Sequence, residues 1–386
     1  MRANPGGIIG PKEVIGRDEL IAQLWEVLKA QSVVLASERR IGKTCVIRKM
    51  HNETSSPDFF CVIRDLEGLR SPQQFVERTY DDIESLLPRT DRARLKVWQL
   101  LTKLGGAQIG DIKLPHFTQH WKNLLDALME DLFEAEKRIV VFLWDELPLF
   151  IYNVKQDMGE PTAMEILDVL RSLRQSHKGL RMVFTGSVGL HQVIRALRSE
   201  RYANAPTNDM RAVEVGPLSP ARGAHLAALL VEGEEIARGP EASLLATQIS
   251  EAAGHIPYYI HYLVARMKSQ GKACLELTAE EHLDGLISDP NDPADFRYYR
   301  SRLHTYYDEA EALALAILDV LAIAPEPLSF DILLNGVRHH MPANEERMRD
   351  TLQLLMKDHY ITRRPDDRRF EFRYPVVRKW WRFDRG

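Results

Sequence analysis

The chain has 386 residues, of which 45% are hydrophobic and 27% are charged, and its formal net charge is −4 at pH 7. This length predicts two or three domains, and the near-neutral charge excludes a surface that is basic throughout, as in many nucleic-acid-binding proteins. The sequence has no run of 18 apolar residues and no apolar segment after Met1, and its three cysteines are widely spaced. We therefore expect a cytoplasmic protein with reduced thiols and no membrane partner.

The first half of the chain alternates between short apolar runs and longer helical patterns. This alternation is typical of βαβ units, so we predict an α/β fold with a five-stranded parallel sheet. The predicted strands are 33–36, 59–64, 139–144, 181–185 and 212–215. The predicted helices between them are 18–29, 43–51, 71–87, 118–137, 164–177 and 190–197. The segment 88–115 fits no strand and is predicted to be an insertion.

The pattern after residue 217 is wholly helical. Helices over 221–230, 240–253 and 257–269 predict a small helical lid. Three further helices, 310–323, 329–337 and 344–358, precede a hairpin of residues 359–362 and 369–373, which is the order of a winged helix-turn-helix. We predict three domains: a core over 1–219, a lid over 220–300 and a winged helix over 301–386.

The first predicted strand leads directly into the segment SERRIGKT at residues 37–44. In a phosphate-binding loop, backbone N–H groups at a helix start wrap phosphates, a lysine reaches the β and γ phosphates, and a hydroxyl binds Mg²⁺. Gly42, Lys43 and Thr44 open the following helix as this motif requires, although Ser37 stands at the first glycine position. Because a Gly-Lys-Thr triplet often arises by chance, the prediction depends on this strand–loop–helix context.

A second motif supports the first. The apolar strand at 139–144 ends in Asp145 and Glu146. Of two carboxylates at such a strand end, one can hold a metal ion and the other can polarise an attacking water. The alternative is that the two acids only cap the next turn.

Four segments, in order, carry a family resemblance: IGRDEL at 15–20, RRIGKT at 39–44, WDE at 144–146 and FTGS at 184–187. With these, the chain resembles AAA+-related P-loop ATPases of the STAND and archaeal-ATPase type, a group similar also to origin-recognition ATPases. They correspond to an adenine-side motif, Walker A, Walker B and the sensor 1 strand. The lid segment at 254–260 resembles the group as well, with two residues between Gly254 and Pro257 where the group has one.

The resemblance implies a role for each matching residue. Lys43 contacts the β and γ phosphates, Thr44 and Asp145 hold Mg²⁺, Glu146 activates water, and Ser187 senses the γ phosphate. The residues implied to bind ATP are Ile15, Gly16, Arg17, Arg39, Arg40, Ile41, Gly42, Lys43, Thr44, Cys45 and Pro257.

The family also implies an arginine finger from a neighbouring subunit of a homo-oligomer. Four arginines lie between the sensor 1 segment and the fifth strand, and the sequence does not choose among them. They are Arg195, Arg198, Arg201 and Arg211. The alternative is a solvated basic helix face.

The C-terminal segment 360–386 carries nine Lys/Arg against four Asp/Glu. A basic wing can contact duplex DNA through its phosphates, but the mixed charge at 344–350 is unusual for a DNA-reading helix. The aromatic residues Tyr374, Trp380, Trp381 and Phe383 could stack on nucleic acid; we favour docking of the tail onto its own domain.

The function we expect is an ATP-hydrolysing switch whose nucleotide state controls oligomerisation, or engagement of a partner or DNA, through the winged helix. One alternative is a DNA-binding ATPase adaptor of the replication, transposition or mobile-element type. Another is a signalling ATPase of a defence or toxin–antitoxin locus, whose protein effector is encoded separately.

Overall fold

The computed structural model describes residues 1–53, 58–86, 121–186, 189–199, 203–271 and 277–386. The chain divides into two compact units. The sheet unit comprises Asp18–Ala36 and Lys43–Glu214. The helical unit comprises Met1–Arg17, Ser37–Gly42 and Val215–Gly386. The boundaries of the three predicted domains stay predictions.

Five parallel strands form the sheet of the sheet unit, in the order β2-β3-β4-β1-β5. They are β1 Val33–Ala36, β2 Phe59–Asp65, β3 Ile139–Asp145, β4 Leu180–Phe184 and β5 Arg211–Glu214. The predicted α/β fold with a five-stranded parallel sheet is therefore confirmed, and no predicted strand end is wrong by more than one residue. Strand β3 is buried along almost its whole length, as its continuous apolar sequence requires.

Seven helices of the sheet unit lie in its described part. They are α1 Asp18–Leu28, α2 Lys43–Asn52, α3 Pro72–Leu86, α4 Trp121–Ala135, α5 Leu147–Met158, α6 Glu160–Ser176 and α7 Leu190–Ser199. Helix α5 was not predicted. It starts immediately after the acid pair, with Pro148 in its first turn, where a missing N–H costs no hydrogen bond. The predicted insertion at 88–115 lies outside the described residues.

An aromatic cluster fixes the end of β3. Trp144 is only 1% exposed and its ring lies 5.0 Å from the rings of Phe75 and Phe142, and 6.1 Å from that of Phe184. Large packed rings of this kind leave little freedom for the strand that carries them. The backbone is therefore well anchored immediately before Asp145.

The helical unit contains nine α-helices and one hairpin in its described part. They are α8 Pro220–Gly233, α9 Gly239–Ala252, α10 Pro257–Ser269, α11 Ala279–Ile287, α12 Arg297–Tyr306, α13 Glu311–Ile323, α14 Phe330–Arg338, α15 Glu345–Lys357, β6 Ile361–Arg363, β7 Phe370–Phe372 and α16 Pro375–Arg385. Helices α13 to α15 followed by the antiparallel β6–β7 pair give the predicted winged-helix order. Leu328 adds a bridge to Phe370 at the edge of this hairpin.

Three helices of this unit, α11, α12 and α16, were not predicted. Helix α11 carries a readable start signal, since Thr278 and Glu281 form a reciprocal capping box. Helix α12 has no such signal, because charged and aromatic residues alternate along it without a clear apolar stripe.

The C-terminal helix α16 packs by its tryptophans. Trp380 and Trp381 are 3% and 0% exposed, and the indole N–H of Trp381 donates to Asp319 Oδ1 at 2.8 Å. Tyr374 is also buried, so the docking prediction is confirmed for these three residues. It is wrong for Phe383, whose side chain is 61% exposed. Among the helices described, none is long and apolar enough to span a bilayer.

We expect Trp381→Ala to lower the free energy of unfolding by about 3–5 kcal/mol, because it leaves a large cavity and removes the bond to Asp319. Phe383→Ala is the matched control and should change it by about 0.5 kcal/mol or less. Urea unfolding followed by circular dichroism measures both. Equal effects of the two substitutions would contradict the docking of the tail.

Candidate functional site

Three of the predicted site residues come together in the sheet unit. Helix α2 begins at Lys43, and the hydroxyl of Thr44 donates a hydrogen bond to the carboxylate of Asp145, the last residue of β3. Lys43 and Asp145 are only 7% and 5% exposed, and the ammonium of Lys43 stabilises the charge on Asp145. The structure thus joins the start of α2 to the end of β3, as the two motifs predict.

The environment of Asp145 disfavours its negative charge. Burial raises the pKa of this carboxyl, and the charge of Asp65 raises it further. Strands β2 and β3 pair Asp65 with Asp145, so the two acids end neighbouring strands at the same level. The Thr44 hydroxyl, the Glu146 N–H at 3.2 Å and the Lys43 ammonium act in the opposite direction without cancelling the rise in pKa. A divalent cation would relieve this arrangement.

Glu146 follows with a left-handed backbone, at φ +55°. Such a conformation is uncommon for a residue other than glycine and indicates a local constraint. Hydrogen bonds hold it on both sides: the Glu146 carbonyl accepts from Phe150 N at 3.0 Å, and Leu147 N donates to the Thr185 carbonyl at 3.2 Å. The second bond ties the acid pair to the residue directly after β4.

Gly186 allows the side chain of Glu146 to lie close to the end of β4. A Cβ atom at Gly186 would lie 2.7 Å from Pro148 Cδ and 3.4 Å from Glu146 Oε2. Only glycine fits such a contact without moving the proline ring. The carboxylate of Glu146 therefore lies against the backbone at the end of the predicted sensor 1 strand. Ser187, the predicted sensor residue, lies outside the described residues.

Sequence reasoning did not select Asp65, Thr185 or Gly186 for this site. The signal for Asp65 is an acid directly after an apolar strand, the same pattern that identified Asp145. Thr185 is 1% exposed, and its hydroxyl has no hydrogen-bond partner in the part of the chain that the structure describes. A buried, unsatisfied hydroxyl is unusual and marks a position where a ligand or water would be stabilised.

The loop residues Ser37–Gly42 belong to the helical unit, together with the adenine-side motif. Arg17 is 6% exposed and donates to the carbonyls of Ile41 and Gly216, both at 2.8 Å. Gly16 has φ +72°, and a Cβ there would meet Arg222 Cβ at 2.9 Å. The structure thus links Arg17 to the loop through Ile41. The predicted roles of Ile15, Gly16, Arg17, Cys45 and Pro257 in ATP binding stay predictions.

The predicted arginine finger is not tested either. Arg195 and Arg211 are exposed. The side chain of Arg198 and the whole of Arg201 lie outside the described part of the chain. The structure therefore does not choose among the four.

Comparison with known proteins gives the fold of the whole chain. A Walker-type ATPase of Pyrococcus abyssi aligns at 15% identity over 96% of this chain and 97% of its own, with a TM-score of 0.64. The ORC2 protein of Aeropyrum pernix, in complexes with ADPNP and ADP, aligns at 11% identity over 98% and 96%, with a TM-score of 0.53. No family model and no curated protein matches the chain. The resemblance to archaeal ATPases and origin-recognition proteins is thus confirmed at the level of the fold.

We expect Asp145→Asn to raise the apparent Tm of the nucleotide-free protein at pH 7. Folding raises the pKa of this acid, so the folded protein binds the proton more tightly than the unfolded chain, and stability from this group falls as pH rises. The neutral amide removes that penalty, and its advantage should shrink as the pH is lowered, because Asp145 itself then takes up a proton.

Differential scanning fluorimetry at pH 7 and at a lower pH checks this expectation. Asp81→Asn makes the same change at an exposed position of the sheet unit and should leave the Tm unchanged. A lower Tm of Asp145→Asn at pH 7 would show that the charge of Asp145 stabilises the fold, against the pKa argument.

Proposed function

We propose that this protein binds ATP with Mg²⁺ and hydrolyses it to ADP and phosphate. The observation that carries the proposal is the contact of Thr44 with Asp145 at the first turn of α2, next to the buried ammonium of Lys43. The fold shared with a Walker-type ATPase and a nucleotide-bound ORC2 protein supports the same reaction class.

The residues present fit a magnesium ion. Mg²⁺ takes hard oxygen ligands, keeps several waters and is completed by substrate phosphates, so a protein supplies only one or two oxygens. The Thr44 hydroxyl and the Asp145 carboxylate are such a pair, already in contact. The raised pKa of Asp145 fits the same conclusion, since a cation would favour the ionised form that burial and Asp65 disfavour. Thr44 and Asp145 would hold the ion.

Each nearby side chain then has a role in phosphoryl transfer to water. Mg²⁺ neutralises phosphate charge when it is bound. Lys43 binds the β and γ phosphates, and the N–H groups of the first turn of α2 add donors at the positive end of the helix dipole. Glu146 accepts a proton from the attacking water, with its carboxylate kept at the end of β4 by the close approach of Gly186. Ser187 keeps its predicted role beside the γ phosphate.

We further propose that the nucleotide state acts as a switch on the helical unit. Glu38, in the loop that precedes Lys43, is joined by Arg302 to Asp358 at the end of α15. A change of the loop on phosphate binding would therefore reach the winged-helix segment directly. The output of the proposed switch would be assembly of a homo-oligomer or binding of a partner protein.

An exposed basic wing supports the second candidate, the DNA-binding adaptor. Arg368 and Arg369 are exposed at the turn between β6 and β7. Against this, Arg364 is held by both oxygens of Glu371 at 2.9 Å, and the exposed face of α15 mixes acids with bases. Phosphate contact needs unneutralised positive charge, so these features favour the protein-directed switch. The signalling alternative stays a hypothesis.

We expect Lys43→Ala to abolish binding of Mg-ATP and turnover, because the phosphates lose the ammonium that offsets their charge at the start of α2. Glu146→Gln should keep Mg-ATP binding while turnover falls about 100-fold or more, the usual contribution of a general base. Calorimetry and phosphate release measure the two properties separately. Lys29→Ala, at an exposed lysine of the same unit, is the control. Wild-type turnover by Lys43→Ala would refute the proposal.

Duplex DNA separates the two outputs of the switch. We expect the same ATPase rate with and without a DNA duplex at low salt, where phosphate contacts are strongest. Stimulation by DNA that is lost in Arg368→Glu/Arg369→Glu would instead establish the adaptor function. The comparison requires only the full chain and a phosphate-release assay.

A further inference from the structure

The phosphate-binding loop is short of glycine where its backbone is most unusual. Arg40 has φ +68° and Gly42 has φ +103°. Glycine adopts such angles freely, whereas an L-residue with a side chain rarely does. Ser37 and Arg40 thus leave Gly42 as the only glycine between residues 37 and 44. Something other than backbone freedom must keep Arg40 in its left-handed conformation.

The side chain of Arg40 is held by three groups of the helical unit. Its guanidinium forms an ion pair with Asp295, donates to the carbonyl of Ala294 and lies 4.2 Å above the ring of Tyr258. An ion pair, a hydrogen bond to a carbonyl and a cation–π contact together define the position of a planar guanidinium closely. This combination can fix the backbone of Arg40.

The two preceding loop residues are anchored on the same segment. Arg39 Nη1 lies 2.9 Å from Asp295 Oδ2, and its guanidinium lies 4.1 Å from the ring centre of Tyr298. Glu38 is 1% exposed and accepts from Arg302 Nη1 at 2.5 Å. Three consecutive loop residues are therefore bound to the segment 294–302.

That segment is itself hydrogen-bonded and partly buried. Asp292 accepts hydrogen bonds from the backbone N–H groups of Phe296 at 2.7 Å and Arg297 at 2.9 Å, so it fixes the start of α12. Ala294 and Phe296 are 0% exposed on either side of Asp295. Asp295 is thus presented to the loop from an ordered turn.

Arg302 is equally well fixed. Its second nitrogen donates to Asp358 Oδ1 at 3.2 Å, and Asp358 also accepts from the hydroxyl of Tyr307 at 2.7 Å. Arg302 and Asp358 are only 5% and 2% exposed. A buried arginine between two carboxylates has little freedom to change partner, because each broken bond would leave a charge unpaired in the interior.

We propose that Asp295 and Arg302 are positioning residues that hold the glycine-poor loop in its phosphate-binding conformation. Side-chain anchors at three consecutive positions replace the backbone freedom that glycines give to other loops of this kind. The inference rests on the proposed ATP binding. The alternative is that Asp295 competes with phosphate for Arg39 and Arg40. In that case, removing the charge of Asp295 would tighten the binding of Mg-ATP.

The test is the affinity of full-length Asp295→Asn for Mg-ATP, measured by calorimetry. The amide keeps the size of the side chain but loses the charge shared by the two arginines. We expect Mg-ATP to bind about fivefold more weakly, because a partly exposed ion pair of this kind contributes up to about 1 kcal/mol. Glu309→Gln removes the same charge at an exposed position of the helical unit and should leave the affinity at the wild-type value.

The same substitution in an Arg40→Gly protein distinguishes loop positioning from a loss of folding. Glycine adopts a left-handed backbone without an anchor, so in an Arg40→Gly protein the further change Asp295→Asn should have a smaller effect on affinity than it has in the wild type. The Tm of every variant without nucleotide shows whether the helical unit is intact. A merely structural role of Asp295 would lower Tm and affinity equally in both backgrounds.

The outcomes separate the two proposals. Absence of Mg-ATP binding by the wild type would overturn the proposed function and the positioning role with it. Wild-type binding with unchanged or tighter binding by Asp295→Asn would overturn the positioning role alone. An equal loss of affinity in the Arg40→Gly background would do the same. Weaker binding that depends on Arg40 supports the inference.

Discussion

Two carboxylates end neighbouring strands at the same level, and the repulsion between them is the constraint on which the proposed site depends. Asp65 and Asp145 are paired in register, and burial and mutual repulsion raise the pKa of Asp145. Carboxyl groups with a raised pKa are typical of functional sites, where a bound ligand can stabilise the ionised form. Under the proposed function, the Thr44 hydroxyl and the Lys43 ammonium would receive a cation carried by an anion.

The phosphate-binding loop is held by favourable contacts, in contrast to the repulsion between Asp65 and Asp145. Within the helical unit, Glu38 forms an ion pair with Arg302, and Arg17 donates to the carbonyl of Ile41. Arg39 and Arg40 are held by the carboxylate of Asp295, a backbone carbonyl and aromatic rings. The loop therefore keeps a strained backbone by means of side chains, and the strain is located where phosphates would meet backbone N–H groups. The same contacts connect the loop to Asp358, beside the winged-helix hairpin, which gives the proposed switch a physical route.

The sequence predicted the parts of the fold that local patterns determine. Apolar runs bounded by polar residues identified all five strands, and α2 begins at Lys43 as the Gly-Lys-Thr context predicts. Helix α5 was not predicted, although Pro148 lies in its first turn, where a proline is compatible with a helix. Helix α11 had a capping box in its sequence and could have been found. Helix α12 could not, because contacts distant in sequence, rather than periodicity, bury its residues.

The site was predictable only as far as motifs extend. Lys43, Thr44 and Asp145 were found from two short patterns, whereas Asp65 required the strand pairing to reveal that it faces Asp145. Asp295 was beyond sequence reasoning, since it lies 256 residues from Arg39 and follows no motif.

A calorimetric titration of the full chain with ATP, in the presence and absence of Mg²⁺, tests the central claim most directly. The account predicts one nucleotide per chain, bound more tightly with the cation, because Mg²⁺ offsets the repulsion between the two acids. Equal affinity under both conditions, or no heat of binding in either, would contradict it.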